Sequence, residues 1–454
     1  MMRARAPGSP SVLAFVTLAL AGALGGGGCG GAPGLHAAEA GDRASLHDTI
    51  AAHETKGDLS NGAAADLAAA VASHELREAS AADAPGRIRD ALPCAHELDA
   101  PLADRMRVHD AAGADAALAR IDGRGLSLAD ARAYASDPDA AWRAVGARGL
   151  VRAGDREGRL RSLADDAPAV RRQAVRAARD AADPDDLRVL AETARLDPEP
   201  IVRTEAVRAI AAMDPSPGGA AVDVLRDLWT GGDDGLREDI AIGWASPRLW
   251  DAGGREALRI RVAAGHGPGA IEAAAAVLRH AGRGASSEPG DDVFDAAAGQ
   301  LVRAIATGSR RTRLQALAEA PLDRADVRDA VRAASTDEDP EVRVGALARV
   351  MGPAGSLDAA GASSAVTALE ALAQPGSPVA SRARFALAVA GDRRVQGWLE
   401  TDLGAPAPED RLGAATALAS LGVSARAAPL LADADPSVRV RSACTILMAA
   451  RAGR

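Results

Sequence analysis

The sequence predicts an all-α solenoid, in which about ten helix pairs stack in a row behind an irregular helical N-terminal cap. A short phrase returns along the chain: an acidic residue and often Pro, then Val-Arg, then small or apolar residues at helical spacing. Helical repeats of this length form stacked units, each of which buries its apolar face only against its neighbours. The clearest copies of the phrase lie at residues 167–171, 200–203, 339–343 and 435–439.

The composition favours many thin local cores. Apolar residues make up 48% of the 454 residues, yet the chain has only five Trp, three Phe and one Tyr. Most of the apolar content is therefore Ala, Leu and Val, and Ala lets helices approach each other closely. The formal net charge is −9, and no basic run is interleaved with aromatic residues. The charge and the missing basic runs disfavour nucleic-acid binding.

Residues 1–28 are predicted to be an export signal, in which two Arg residues precede an apolar segment at 12–24. That segment is too short to span a bilayer comfortably. Small residues then lead to Cys29, a pattern that resembles a bacterial lipoprotein signal, although Gly26 stands where that signal usually has Leu. The resemblance implies that Cys29 is acylated and anchors the chain to a membrane. The alternative is ordinary secretion, with cleavage at a small-residue site such as 38–40.

Three segments are expected after the signal. Residues 29–42 contain Gly, Ala and Pro and are expected to be a flexible tether. Residues 43–125 have a helical pattern without the repeat phrase, and we interpret them as a cap that covers the first open face of the array. Residues 126–454 are expected to form the solenoid. Alignment on the Val of Val-Arg places its first helices near Trp142, Val170, Val202, Leu236, Ile271, Thr312, Val342, Arg382, Asp410 and Val438.

The phrase itself specifies a helix pair. Asp followed by Pro, as at Asp339-Pro340, supplies an N-cap oxygen and a residue whose fixed φ suits the first helical turn. Apolar residues four and eight positions beyond the Val, such as Ala206 and Ile210 after Val202, predict one buried stripe. A turn that contains Gly then ends the first helix, and a second helix follows.

This pairing resembles HEAT repeats over roughly residues 130–454, and more narrowly the bacterial HEAT-like type also seen in phycobilin lyases. The resemblance implies a right-handed superhelix whose inner surface binds proteins or peptides, so it specifies fold better than function. It also implies that the repeated Arg pairs with an Asp of the adjacent repeat, as a structural ladder. The alternative is that this Arg binds carboxylates or phosphates of a partner. The residues concerned are Arg171, Arg203, Arg343 and Arg439.

Cys94 and Cys444 lie near opposite ends of the chain. Because the ends of a solenoid are far apart, we expect two free, partly buried thiols here, even in an oxidising compartment.

Three His-Glu pairs, at 53–54, 74–75 and 96–97, are the sharpest hint of chemistry in the chain. They resemble the pairs with which the HEAT-type enzyme deoxyhypusine hydroxylase holds two irons. Their spacing is too short for one pair per repeat, and no second set follows. We therefore predict no catalytic residue, no metal and no cofactor. A metal-binding or enzymatic role of this His-rich N-terminal region remains the alternative.

Trp229, Trp244 and Trp250 cluster in an aromatic-poor chain, in the weakest part of the repeat pattern. They fill gaps in the core, or they form an exposed anchor on a concave face, since Trp is enriched at interface hot spots. We name them as candidate partner-binding residues.

These observations predict a non-catalytic, monomeric scaffold that binds an unidentified protein partner on the solenoid surface. We expect it to be lipid-anchored in the bacterial cell envelope, facing the periplasm or the cell surface, or otherwise secreted into the periplasm. The remaining alternative is a structural envelope lipoprotein without a specific ligand.

Overall fold

The computed structural model describes residues 32–80, 82–152, 155–213, 219–232, 234–265, 269–281, 292–352 and 359–453. Throughout these residues the regular structure is helical. The predicted export signal and Cys29 lie outside the described residues.

Among the described residues, seven helices precede the first repeat: α1 (Leu35–Ala40), α2 (Arg43–Lys56), α3 (Asn61–Glu78), α4 (Ala84–Ala91), α5 (Asp99–Met106), α6 (Ala111–Arg124) and α7 (Leu128–Tyr134). The flexible tether predicted for residues 29–42 is wrong over α1. This short helix buries Ala38 against α3. Gly41 then ends it with a φ of 70°, and a Cβ at Gly41 would collide with His74.

The first helices of the ten repeats are α8 (Ala140–Gly149), α10 (Pro168–Ala181), α12 (Pro200–Ala212), α14 (Asp234–Trp244), α17 (Ala270–Ala281), α19 (Arg310–Glu319), α21 (Pro340–Met351), α23 (Ala380–Val389), α25 (Pro408–Ser420) and α26 (Pro436–Ala452). Each of the predicted repeat positions lies in the first turn of one of these helices. Asp339 caps α21 by accepting a hydrogen bond from the Glu341 backbone N–H at 2.9 Å. The α-solenoid predicted from the repeat phrase is confirmed.

The second helices are α9 (Arg156–Leu163), α11 (Leu187–Leu196), α13 (Ala220–Gly231), α15 (Pro247–Leu249) with α16 (Arg255–Ala264), α18 (Asp292–Thr307), α20 (Ala325–Ala333), α22 (Ala359–Leu372), α24 (Gln396–Asp402) and a 3₁₀ segment, Ser424–Ala432. A π-helical segment, Trp250–Gly254, links α15 to α16, and shorter 3₁₀ turns lie at Leu92–Cys94, Pro184–Asp186, Ala334–Thr336 and Arg393–Val395. The predicted stripe Val202, Ala206 and Ile210 is fully buried.

The last repeat takes its second helix from the other end of the chain. Helix α3 packs along α26, in the place that the second helix takes in the other repeats. The two helices are antiparallel, because the end of α3 meets the start of α26 through Glu75 and Arg439. One hydrophobic core joins Leu67 and Leu76 of α3 to Ile446 of α26. The helix pair α26–α3 is therefore assembled from both ends of the chain.

This pair closes the array into a ring. The helices α4 and α6 continue the row of first helices, since α4 packs against α26 and α6 packs against both α4 and α8. With the ten first helices of the repeats, they complete an unbroken circuit within the described residues. The N-terminal helices thus pack against both the first helix of the first repeat, α8, and the helix α26.

The disulfide between Cys94 and Cys444 corrects the expectation of two free thiols. The two Cα atoms are 5.2 Å apart although 350 positions separate the residues in sequence. Cys94 ends the 3₁₀ turn after α4, and Cys444 lies in the middle of α26. The expectation failed because it assumed an open solenoid with distant ends. Ring closure brings these ends together, and the disulfide links them covalently.

Candidate functional site

The first helices form the inner layer of the ring. Neighbouring first helices pack against each other at every junction of the described circuit, whereas second helices pack closely at only some junctions. The inner layer of a closed ring has the shorter circumference, so its helices lie closest together. The faces of the first helices that point away from the second helices therefore line the opening of the ring.

An apolar groove of about 520 Å³ lies on this inner surface between α21 and α23. On α21, the small residues Gly345 and Ala348 line it, on the side of the helix opposite the buried stripe that starts at Val342. On α23, Phe385 and Val389 line the other side and are 37% and 60% exposed. We call this site the α21–α23 groove. It offers an aromatic and an aliphatic side chain to solvent over a surface of small residues.

Charged groups border the α21–α23 groove at one end. The carboxylate of Glu341 accepts hydrogen bonds from Arg382 of α23 and pairs with Arg310 of α19, each at 2.6 Å. Burial alone would raise the pKa of Glu341, but the hydrogen bonds from both guanidinium groups outweigh it and lower the pKa. This end of the groove is therefore ionised and fixed by ion pairs, while the rest of the groove is apolar.

The repeated Arg residues hold the loops before their own helices. In each of them, Nη1 donates a hydrogen bond to the backbone carbonyl oxygen of the residue six positions earlier, at 2.6–3.0 Å. The four residues are Arg171, Arg203, Arg343 and Arg439. Arg171 also forms a two-pronged pair with Asp197 of the next repeat, at 2.7 and 2.9 Å. Burial opposes ionisation of Asp197, but the hydrogen bond from Arg171 dominates and its pKa is lowered. This geometry places Arg171 between consecutive repeats.

Arg439 makes the corresponding contact across the ring closure. Its Nε donates to the carboxylate of Glu75 on α3 at 2.7 Å, as Arg171 donates to the carboxylate of Asp197. The other two glutamates of the His-Glu pairs also face C-terminal arginines. Glu97 pairs with Arg451 at 3.4 Å, and the charge of Arg426 opposes the rise that burial causes in the pKa of Glu54. The three glutamates therefore lie along the ring closure, each opposite an arginine from the C-terminal part of the chain.

Replacing Arg439 by Gln is expected to lower the free energy of unfolding by about 2–3 kcal/mol, since it leaves a largely buried Glu75 with only Arg87, 3.8 Å away. On the same helix, Arg441→Gln removes an exposed pair with Glu409 and should cost less than about 1 kcal/mol. Urea denaturation of both variants measures the difference. Equal losses would contradict a specific role of Arg439 in closure.

The three tryptophans are not exposed anchors, which corrects their choice as candidate partner-binding residues. Trp229, Trp244 and Trp250 are 8%, 0% and 5% exposed. The rings of Trp229 and Trp244 stack with centroids 5.3 Å apart, and the guanidinium of Arg261 lies 5.0 Å from the Trp229 centroid. They are buried because helices α13, α14 and the π-helical segment pack their large side chains into one core.

The His-Glu pairs do not converge on a metal site in the part of the chain that the structure describes. No group of three or more His, Cys, Asp or Glu residues there could hold an ion. His53 instead contacts Asp58 at 2.6 Å, and His74 contacts the backbone carbonyl of Glu39 at 3.2 Å. Across the same described residues, no helix combines the length and apolar character needed to cross a membrane.

Sequence analysis did not single out Phe385 and Val389. A usable signal was present, because α23 carries two apolar stripes rather than one. Ala383 and Leu387 are buried, while Phe385 and Val389, also four residues apart, lie on a different side of the helix. A helix of a two-layer array needs only one stripe to contact its neighbours, so a second stripe indicates another binding surface.

Comparison with known proteins identifies the repeat type. The family model for HEAT repeats matches residues 158–243, a stretch that contains helices α10 and α12. None of the curated proteins matches it. Among solved structures, a crystal structure of a Kap121p mutant is similar, with 14% sequence identity and a TM-score of 0.28. The alignment covers 80% of this chain and 46% of that protein, so this chain spans about half of its length.

Proposed function

We propose that this HEAT-repeat chain is a non-catalytic scaffold that holds a partner protein inside its ring, through the α21–α23 groove. HEAT-repeat solenoids commonly bind protein partners, and each repeat adds surface without a change of fold. The observation that carries the proposal is the exposed pair Phe385 and Val389 on the inner surface. In this proposal the chain acts as a monomer, its partner is a protein, and it does not bind nucleic acid.

The chemistry of the groove indicates which part of a partner enters it. Its apolar lining suits an apolar side chain, or the apolar face of a helix, packed on the ring of Phe385. Glu341 and Arg382 are already paired with each other, so they add little attraction for a partner. They determine where a polar group beside the partner's apolar segment can lie. Aromatic residues at the centre of an interface commonly carry most of its affinity. Phe385 is accordingly the residue on which we expect binding to depend.

The proposed location is the bacterial cell envelope, with an acylated Cys29 as the membrane anchor. The motif at residues 1–29 supports this, and so does the Cys94–Cys444 disulfide, because such bonds persist in oxidising compartments such as the periplasm. Two acyl chains provide stable anchoring where one does not. A passive spacer between envelope layers is less well supported, since the ring closure prevents the array from extending.

Photo-crosslinking tests the proposal in cells. A photoreactive phenylalanine analogue at position 385 is expected to give one discrete protein adduct, because it contacts the bound partner. The matched control carries the analogue at Leu196, which is 78% exposed at the end of the second helix α11. The Leu196 position should give no such adduct. Adducts of the same size and yield from both positions would contradict the groove as the binding site.

The identified partner then allows a quantitative test. Phe385→Ala should weaken its binding about tenfold or more, as truncation of a hot-spot aromatic does. The same change should leave the melting temperature nearly unchanged, since Phe385 is exposed. Leu196→Ala should alter neither property. Unchanged affinity of a folded Phe385→Ala protein would overturn the proposal.

A further inference from the structure

A second pocket, of about 440 Å³, lies on the inner surface where the N-terminal helices meet the repeats. Helices α4, α6, α8 and α10 form it, and all of them belong to the row of first helices. Its volume falls within the range of small-molecule sites. Four arginines line it, Arg89, Arg148, Arg172 and Arg176, together with one carboxylate, that of Asp115, and we call it the arginine pocket.

The arginines of this pocket outnumber the carboxylates that neutralise them. Arg172 and Arg176 share a single carboxylate, that of the buried Glu205, at 3.3 and 2.7 Å. Arg148, which is 8% exposed, pairs with Asp180 at 2.7 Å. Each guanidinium has five N–H donors, so sharing leaves donors unused. With Asp115 included, four arginines face three carboxylates, so the pocket keeps an excess of one positive charge in a chain whose net charge is −9.

Two buried polar atoms in the arginine pocket have no hydrogen-bond partner within the described structure. They are Nε of Arg172 and Oε1 of Gln173. Buried polar atoms are normally paired, so an unpaired set that lines a cavity indicates a missing ligand or water. The Arg172 donor matches the acceptor oxygens of an anion, whereas Gln173 Oε1 is itself an acceptor and needs a water or another donor.

The wall contributed by α4 and α6 is largely apolar and carries one ionisable residue from each helix, Arg89 and Asp115. Ile88 and Leu118 line it together with Leu92, which is half exposed. An oxyanion alone would leave this wall in contact with water, whereas an oxyanion carried on an apolar chain would cover it. Planar carboxylates accept two parallel hydrogen bonds from one guanidinium. The two walls therefore match the two ends of an amphipathic carboxylate.

We infer that the arginine pocket binds a small amphipathic carboxylate, with its charged group on Arg172 and Arg176 and its aliphatic part on Ile88 and Leu118. This site is separate from the α21–α23 groove, and it goes beyond the proposed scaffold function. It also joins the N-terminal helices α4 and α6 to the repeat helices α8 and α10.

Calorimetric titration of the full chain with octanoate tests this inference. Octanoate should bind, while octylamine and octanol, which have the same chain length without the negative charge, should not. Arg172→Gln should weaken octanoate binding about tenfold or more, because it removes charge-assisted hydrogen bonds. The control is Arg188→Gln on α11. The exposed side chain of Arg188 pairs with Glu192, so this substitution should not affect octanoate binding.

The variants are checked for folding by circular dichroism. If Arg172→Gln fails to fold, Arg89→Gln replaces it, since Arg89 is exposed. Phe385→Ala should bind octanoate normally, so failure of the groove and failure of the pocket are distinguishable. Absence of octanoate binding, equal binding of octanol, or unchanged affinity in a folded Arg172→Gln protein would overturn the inference.

Discussion

Reduction of the Cys94–Cys444 disulfide is expected to lower the free energy of unfolding by about 5 kcal/mol. The bond joins residues 350 positions apart, so it removes a large amount of conformational entropy from the unfolded chain. In the chain-entropy model this effect grows slowly with loop length and is near its maximum here. Denaturant unfolding of the oxidised and reduced proteins measures it. The variant with Cys94→Ser and Cys444→Ser should behave as the reduced protein does.

The loss should begin at the closure of the ring. Helices α3 and α26 are joined by their core and by the Arg439–Glu75 pair, and the disulfide fixes α26 to the 3₁₀ turn after α4. Hydrogen exchange in the reduced protein should therefore rise first in these two helices, and least in α10 and α12, which lie within the array. Uniform acceleration across all helices would show that the disulfide does not act through the closure.

Trp244→Ala is expected to lower the free energy of unfolding by about 4 kcal/mol, because it leaves a large cavity in a fully buried site. It also removes the stacking contact with Trp229. Ile242, on the same helix, is about half exposed, and Ile242→Ala should cost less than about 1 kcal/mol. Thermal denaturation followed by circular dichroism measures both effects.

The outcome for Trp244 also separates the two interpretations of the tryptophan cluster. A folded Trp244→Ala protein with an unchanged melting temperature and lost partner binding would restore the cluster as a binding site. A large loss of stability identifies it as core, in agreement with its burial.

The repeats were predictable because their information is local. A helix start, an apolar stripe and a Gly turn all lie within one phrase of sequence. Where the phrase is weak, as at Leu236 and Ile271, the interval between repeats located the first helices. The contact between Arg171 and Asp197 follows the same logic, since both residues belong to copies of the phrase. Because each repeat packs only against its neighbours, its structure can be predicted from its own stretch of sequence.

Closure of the ring was not predictable in this way. It depends on a small rotation at each junction that accumulates around the whole array, and no single phrase encodes it. Cys94 and Cys444 therefore looked remote, and Glu75 looked like half of a His-Glu motif rather than the partner of Arg439.

The candidate site was only partly predictable. The resemblance to HEAT repeats pointed to the inner surface, where the α21–α23 groove and the arginine pocket both lie. Composition then drew attention to the wrong aromatic residues, because rarity marked the tryptophans without saying which side of a helix they occupy. Burial depends on the neighbouring helices, and it placed Trp244 inside the core and Phe385 outside it.

Peptide mapping under non-reducing conditions tests ring closure most directly. The folded protein is oxidised in air, its free thiols are blocked, and it is then digested with trypsin. The peptides Asp90–Arg105 and Ser442–Arg451 contain Cys94 and Cys444, respectively. A closed ring predicts that mass spectrometry finds these two peptides joined and that reduction separates them. Both peptides recovered singly, with blocked thiols, would contradict the closure of the array by its N-terminal helices.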